Sequence, residues 1–159
     1  MPYLALYTPT TTGFAAVVPE LDTVLATGTT LGDLVTNLSQ AVALHLHEDP
    51  GSPAPKARTA ADLPASALAP YDAPPLELLI TPAPINPVSL EIERLVEASP
   101  LSLRNLAKEV GTSHSALIRM MNPFYWGHSL SSLRQLGVAL DVEPVLSFRP
   151  VALPATNTA

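Results

Sequence analysis

Apolar and polar positions follow different patterns in the two halves of the chain. The first half begins with short alternating or β-branched runs, which are typical of strands. Helical spacing of apolar residues then predicts a long helix over Leu31–Glu48, opened by a capping box of Thr30 and Asp33. The three predicted strands are Tyr3–Thr8, Gly13–Val18 and Thr23–Thr27. Together these elements indicate a small meander sheet with one helix.

Residues 50–87 contain ten prolines, a density that by itself suggests a disordered linker. Within this stretch, however, Leu76–Thr81 has the composition of a strand, and a strand needs a sheet. The N-terminal strands are the obvious partners. We therefore expect residues 50–75 to be an ordered or semi-ordered connection inside the first domain, with a helical turn near Ala60–Leu63. Three prolines stiffen the segment Pro82–Pro87, which follows.

The second half has the pattern of four helices. Ser102 and Ser113 are suitable N-caps, and Gly111 can adopt the left-handed conformation that ends a helix. Val145–Phe148 is a candidate for a closing strand. The predicted helices are Val88–Ala98, Leu103–Val110, His114–Met121 and a last one from Ser129 or Ser131 to about Leu140.

These elements predict an α+β fold with two domains. A small α/β domain would span residues 1–84, with a linker at 85–87. An all-α helix-turn-helix domain would span residues 88–150, followed by a flexible tail at 151–159.

The segment from Leu106 to Arg119 has the features that join two helices at a steep angle. Ala107 is small where the helices must approach, and Gly111 permits the tight turn. The apolar residues expected to lock the helices together are Leu106, Val110, Leu117 and Met120. With Leu133–Val142 as a supporting helix, residues 88–142 resemble the phage-repressor (Cro/C1) family of DNA-binding domains.

That resemblance implies that the N-terminal part of the third helix enters the major groove. Arg119 can bond guanine through two hydrogen bonds, and Ser115 can bond several bases. The residues expected at the DNA are Ser102, Arg104, Ser113, His114, Ser115, Ile118, Arg119 and Asn122. The alternative is a helical protein–protein module that has the fold without binding DNA.

Charge is spread unevenly along the chain. The net charge is −6, and residues 1–87 hold eight acidic and two basic side chains. Residues 88–159 hold six acidic and six basic side chains. Between Leu101 and His128, however, there are three basic residues, Arg104, Lys108 and Arg119, and one acidic residue, Glu109. An acidic first half repels nucleic acid and attracts a basic protein. The same acids could simply aid solubility.

The N-terminal half also resembles a known family, the HicB antitoxins. The resemblance rests on the order Tyr3, Gly13-Phe14, Val18-Pro19-Glu20-Leu21, Thr27-Gly28-Thr29-Thr30-Leu31, Asn37 and Ala41, followed by the strand Leu76–Thr81. It implies a partly degraded ribonuclease-H-like domain in a type II antitoxin. This domain would block a HicA toxin, a small basic ribonuclease acting on messenger RNA. The second domain would bind the operator of its own operon.

We expect the chain to neutralise such a toxin through acidic residues, with Glu20, Asp22, Glu48 and Asp49 as candidates. We expect a homodimer or higher oligomer, because repressor-type domains read paired half-sites. The main alternative is a one-component transcriptional repressor whose first domain senses a small molecule.

We expect no enzymatic activity, cofactor or metal site. A metal-dependent nuclease needs clustered carboxylates, and none of Glu20, Asp22, Asp33, Glu48 and Asp49 lies inside a predicted strand. His45 and His47 are two residues apart on a helix and therefore point in different directions. The aromatic run Phe124, Tyr125 and Trp126 is expected to close the helical core rather than to stack on bases.

The chain has no cysteine, no basic N-terminal region followed by an apolar run, and no apolar window long enough for a membrane span. We expect a cytoplasmic protein without membrane partners.

Overall fold

A computed structural model describes residues 1–22 and 24–148. The chain is α+β and divides into two compact units, with the boundary between Asn86 and Pro87. Each unit has its own hydrophobic core.

The first unit is built on a four-stranded antiparallel sheet in the order β3-β2-β1-β4. The last strand along the sequence therefore returns to pair with the first, as the apolar run after the prolines predicted. Thr23, the first residue of the predicted third strand, lies outside the described residues. The strands are β1 (Tyr3–Thr10), β2 (Gly13–Val17), β3 (Leu25–Gly28) and β4 (Leu76–Ile80).

The first hairpin is tighter than the sequence suggested. β1 runs two residues beyond the predicted Thr8, and only Thr11 and Thr12 separate it from β2. Pro9 pairs with Phe14 inside this extension. β4 pairs with β1 only as far as Tyr7, so β1 is an edge strand at Pro9, where a proline is tolerated.

Helix α1 spans Leu31–Glu48, as predicted, and covers one face of the sheet. Its capping box is formed: the Asp33 amide donates to Thr30 Oγ1 at 3.1 Å, and the Thr30 amide donates to Asp33 Oδ2 at 3.0 Å. Gly28 allows the close approach of β3 to this helix, because a Cβ there would collide with the backbone of Leu34. The buried residues of this layer are Tyr3, Ala5, Ala16, Val18, Leu21, Val24, Leu34, Leu38, Val42 and Ile80.

The proline-rich connection covers part of the opposite face of the sheet. Leu4 and Leu6 point to that side and are fully buried. The connection contains a 3-10 turn at Ala60–Asp62 and a short helix, α2, at Ala65–Leu68. The residues that it packs on the sheet are Ala57, Ala60, Leu63, Leu68 and Tyr71. The connection thus packs several side chains on the sheet as a second apolar cluster, which confirms that it is ordered and has a helical turn.

Residues 87–148 of the second unit contain four helices, and their bounds agree with the predicted ones to within one residue. Its core is formed by the buried residues Ile92, Val96, Leu106, Ala107, Val110, Leu117, Met120 and Leu136. The helices are α3 (Pro87–Ala98), α4 (Leu103–Val110), α5 (His114–Met121) and α6 (Leu130–Leu140), the last capped by Ser129.

The predicted closing strand at Val145–Phe148 is wrong for the single chain. These residues have no regular secondary structure and are exposed, with Val145 at 85% and Phe148 at 89%. The physical reason is that the described part of the second unit contains no strand with which the segment could pair. The predicted flexible tail at 151–159 lies outside the described residues.

Candidate functional site

The candidate site is the pair of helices α4 and α5 with the turn Gly111–Ser113 between them. Gly111 has a φ of 75°, the left-handed conformation expected of a glycine at a helix end. The amide of Thr112 donates to the carbonyl oxygen of Ala107 at 2.9 Å, which closes the end of α4. Ser113 then opens α5 by accepting a hydrogen bond from the Ala116 amide at 3.1 Å.

The two helices are locked by the apolar residues that the sequence pattern indicated. Leu106 and Leu117 are fully buried, and Val110 and Met120 are also buried. Ala107 is 3% exposed at the point where a larger side chain would hold the helices apart. This packing sets the direction in which the outer face of α5 points.

The outer face of α5 is a continuous exposed stripe that is polar except at Ile118. His114, Ser115, Ile118 and Arg119 are all exposed, and their spacing places them on one side of the helix. Ser102, Arg104, Ser113 and Asn122 are also exposed, so each of the eight residues predicted at the DNA is accessible. Ser102 is the N-cap of α4, where its Oγ accepts from the Asn105 amide at 3.3 Å.

The electrostatics of this region differ from those of the whole chain. Arg104, Lys108 and Arg119 are exposed on α4 and α5, against the single exposed carboxylate of Glu109. A face with a local excess of positive charge can approach a phosphate backbone although the unit as a whole is neutral.

The loop after α5 is held by its own hydrogen bonds. Asn122 Oδ1 accepts from the Phe124 amide at 2.8 Å, and the Asn122 carbonyl oxygen accepts from the Tyr125 amide at 2.9 Å. His128 Nε2 donates to the carbonyl oxygen of Met120 at 2.9 Å, which ties the end of the loop to the last turn of α5. Asn122 therefore has a role in the turn as well as an exposed position beside the stripe.

The aromatic residues of this loop do not behave as one group. Tyr125 is half-buried and packs against the core of the second unit, as predicted. Trp126 is 59% exposed, so the prediction that it closes the core is wrong. The turn at Asn122 reverses the chain so that Tyr125 points inward and the next side chain points outward. Composition alone could not distinguish these neighbours.

The four acidic candidates for toxin binding lie in the first unit but differ in accessibility. Asp22, Glu48 and Asp49 are exposed. Glu20 is half-buried, and its Oε1 accepts from the amides of Lys56 and Ala57 at 2.8 and 3.1 Å. Glu20 thus fastens the proline-rich connection to the sheet, a structural role that the sequence analysis missed because these residues lie far apart in sequence.

Of the five carboxylates considered for a nuclease site, Glu20, Asp33 and Asp49 accept hydrogen bonds from the chain itself. Asp33 accepts hydrogen bonds from Thr29 Oγ1 and from the Thr30 amide, and these bonds lower the pKa of its carboxyl. Asp49 accepts from the Gly51 amide at 3.1 Å and from Ser52 Oγ at 3.1 Å. Over residues 1–22 and 24–148, no three acidic or histidine side chains are placed to hold a metal ion.

A concave surface is also present among the described residues of each unit. In the first, an open cleft of about 470 Å³ lies at the end of the hairpin and the start of α1, lined by Thr10, Thr12, Phe14, Thr29, Asp33 and Asn37. In the second, an apolar groove of about 780 Å³ runs between α3 and α6 and along residues 142–146. Ile92, Leu133, Leu136 and Leu140 are among its lining residues.

The sequence matches no protein-family model, and a search of curated proteins finds no similar sequence. None of the helices in the described part of the chain has the length and apolar character needed to cross a bilayer.

Proposed function

We propose that this protein is an antitoxin that represses its own operon. The second unit would bind operator DNA, and the first unit would bind and block a basic ribonuclease toxin of the HicA type. The observation that carries the proposal is the exposed stripe on α5, formed by His114, Ser115, Ile118 and Arg119. The tight turn before α5 and the buried apolar residues between α4 and α5 hold this stripe in place.

The stripe has the chemistry needed to read bases. In a helix-turn-helix, the N-terminal part of the second helix lies in the major groove, and the first helix crosses the backbone. Arg119 can donate two hydrogen bonds to guanine, Ser115 can donate or accept, and Ile118 can contact a thymine methyl group. Arg104 lies on α4, where contacts to phosphate are expected.

A matched pair of arginine variants tests this reading in operator titrations. Arg119→Ala should cost about 1–3 kcal/mol and relax specificity at one position per half-site. Arg104→Ala removes the same side chain from α4 and should instead weaken binding to all sequences and reduce the dependence on salt. A folded Arg119→Ala protein with unchanged affinity and specificity would show that Arg119 does not contact a base.

Charge supports the proposal for the first unit. Its eight acidic and two basic side chains give it the whole net charge of −6, which suits a basic partner. Asp22, Glu48 and Asp49 are the exposed candidates for contact, since Glu20 already binds backbone amides. Association should weaken as salt is added, because exposed charges are screened over about 8 Å at physiological ionic strength.

We propose that two copies of the chain pair through their second units. The exposed segment Val145–Phe148 and the apolar groove between α3 and α6 would form the contact, with the second copy as the occupant. Two paired units would read half-sites about one helical turn, or a multiple of it, apart. Light scattering that finds only monomers at micromolar concentration, with and without operator, would contradict this arrangement.

Co-expression with a HicA-type toxin tests the division of function. The full chain should rescue growth and repress transcription, whereas a fragment ending near Pro84 should rescue growth without repressing. Neutralisation by the second unit alone would reverse the assignment. If neither fragment nor the full chain neutralises the toxin, a repressor with a small-molecule-sensing first unit becomes the better account. A ribonuclease assay with magnesium or manganese tests the nuclease alternative.

A further inference from the structure

The side chain of Arg119 is exposed, yet the structure gives its guanidinium a neighbour. The carbon at the centre of the guanidinium lies 5.4 Å from the centre of the Tyr125 ring. A cation over an aromatic face at this distance is attracted by the ring's negative face. Arg119 is on the exposed stripe of α5, whereas Tyr125 is in the loop beyond the helix.

Tyr125 is itself held in place on several sides. Its amide donates to the carbonyl oxygen of Asn122 at 2.9 Å, and its hydroxyl donates to the carbonyl oxygen of Gly127 at 3.0 Å. Its ring meets the His128 ring edge-to-face at 4.9 Å and packs against the core of the second unit. The ring is therefore a fixed platform, although it lies at the surface of a loop.

Gly127 provides the space for this platform. A Cβ at position 127 would lie 2.5 Å from the Tyr125 hydroxyl oxygen and 2.7 Å from the ring carbon that bears it. Any side chain there would displace the ring. A small change at Gly127 can thus move Tyr125 without altering either Tyr125 or Arg119.

We propose that Tyr125 is a positioning residue that holds the Arg119 guanidinium ready for base recognition. The inference rests on the proposed DNA binding and assigns a specificity role to a residue outside the recognition helix. An arginine side chain has many rotamers, and fixing it on binding costs free energy. A platform that already restricts the guanidinium reduces that cost, as preorganisation does in other interfaces.

The expected effect follows from the strength of an arginine–aromatic contact at an exposed site, which amounts to about a 2–5-fold change in affinity. The variant should lose sequence preference, because the platform acts on the residue that contacts a base. Binding to duplexes of unrelated sequence should change little.

The test uses the full chain and a DNA duplex that it selects from a random-sequence pool. Tyr125→Leu and Gly127→Ala should each bind this duplex about 2–5-fold more weakly and relax the preference at the base pair that Arg119→Ala relaxes. Tyr125→Phe keeps the ring and should keep the preference. Phe124→Leu, a change in the neighbouring aromatic residue, is the matched control and should also keep it.

A double-mutant cycle distinguishes positioning from a general loss of structure. In the Arg119→Ala background, Tyr125→Leu should have no further effect on specificity. Additive losses, or an unchanged preference in a folded Tyr125→Leu protein, would overturn the proposal.

A measurement without DNA separates this inference from the proposed function. NMR relaxation of the Arg119 Nε–H should show a restricted side chain in the wild-type protein and a mobile one in Tyr125→Leu and Gly127→Ala. If Arg119 is equally mobile in all three, the platform is refuted whatever the protein binds. If Arg119 is restricted but the pool yields no preferred sequence, the proposed DNA recognition fails and the specificity role of Tyr125 fails with it.

Discussion

The two units of this chain differ in what their polar side chains do. In the first, both faces of the sheet are packed, one by α1 and part of the other by the proline-rich connection. Carboxylates there hold the chain together: Glu20 binds the connection, and Asp33 and Asp62 bind turns and caps. In the second, α4, α5 and α6 are capped by serines, and the exposed stripe of α5 points outward.

This difference indicates where each unit can interact with a partner. In the second unit, the caps and the loop after α5 are bonded mainly by serines, Asn122 and His128. The exposed side chains of His114, Ser115 and Ile118 on α5 lie outside these bonds and are accessible to a ligand. The first unit uses several of its acids internally, so what it offers to the proposed toxin is its remaining exposed acids and its exposed apolar positions. Val17 and Leu25 are two such positions, paired on β2 and β3 and 38% and 64% exposed.

The largest expected losses of stability come from creating a cavity in one core at a time. Leu34→Ala and Leu117→Ala each remove a fully buried leucine, the first from α1 and the second from α5. Each should cost about 2–5 kcal/mol through lost burial and a cavity. We expect the loss to stay within the unit that carries the change, since each unit has its own core.

The sole tryptophan makes this separation measurable. Trp126 lies in the second unit, so its fluorescence should follow the unfolding of that unit alone. NMR signals of the β1 amides should follow the first. Leu117→Ala should lower the midpoint of the tryptophan transition and leave the β1 signals unchanged, and Leu34→Ala should do the reverse. A single shared transition in both variants would show that the units unfold together.

The same comparison shows what the sequence could and could not predict. Local chemistry identified α1, α4 and α5 with their caps, because a cap depends on residues three positions apart. Contacts beyond the span of a cap were missed: Glu20 with the amide of Lys56, which is 36 residues away, and Arg119 with Tyr125 in the loop after its helix. The candidate stripe was predicted because one helix carries it, whereas the platform beside it depends on how a loop turns.

Two glycines should respond differently to the same substitution. A Cβ at Gly28 would collide with the backbone nitrogen and Cα of Leu34, so Gly28→Ala must move α1 or β3. We expect its cost at the upper end of the about 1–3 kcal/mol seen for overpacking, or above it. Gly111 has open space around it but a φ of 75°, so Gly111→Ala should cost only the backbone strain of about 1–2 kcal/mol.

Chemical denaturation followed by the β1 and tryptophan signals measures both glycine variants. Gly28→Ala should shift the first transition more than Gly111→Ala shifts the second. An equal or reversed order would mean that β3 and α1 can separate without cost, which would contradict the close approach at Gly28.

The smallest expected effect is a difference in acid sensitivity. Hydrogen bonds from Thr29 and Thr30 lower the pKa of Asp33, and bonds from Arg58 and Thr59 lower the pKa of Asp62. A carboxyl whose pKa is lower in the folded state stabilises the fold above its unfolded pKa. That contribution is lost as the pH falls from about the ordinary value of 3.8 through the lower folded value. In the second unit, one carboxyl is shifted in this way, Glu91, through its bond to Arg94.

The acid effect is isolated by Asp33→Asn, which keeps the shape of the cap and removes its charge. Between pH 5 and pH 3, the first transition of the wild-type protein should fall more steeply than that of the variant, because only the wild-type loses a hydrogen-bonded carboxylate. Asp72→Asn removes an exposed acid of the same unit that caps no helix, and it should leave the slope as it is. The tryptophan transition should not respond to either change. Equal slopes for the wild-type and Asp33→Asn proteins would mean that ionisation of Asp33 does not change the stability of the first unit. The hydrogen bonds of its internal carboxylates would then not stabilise the unit in the way that we propose.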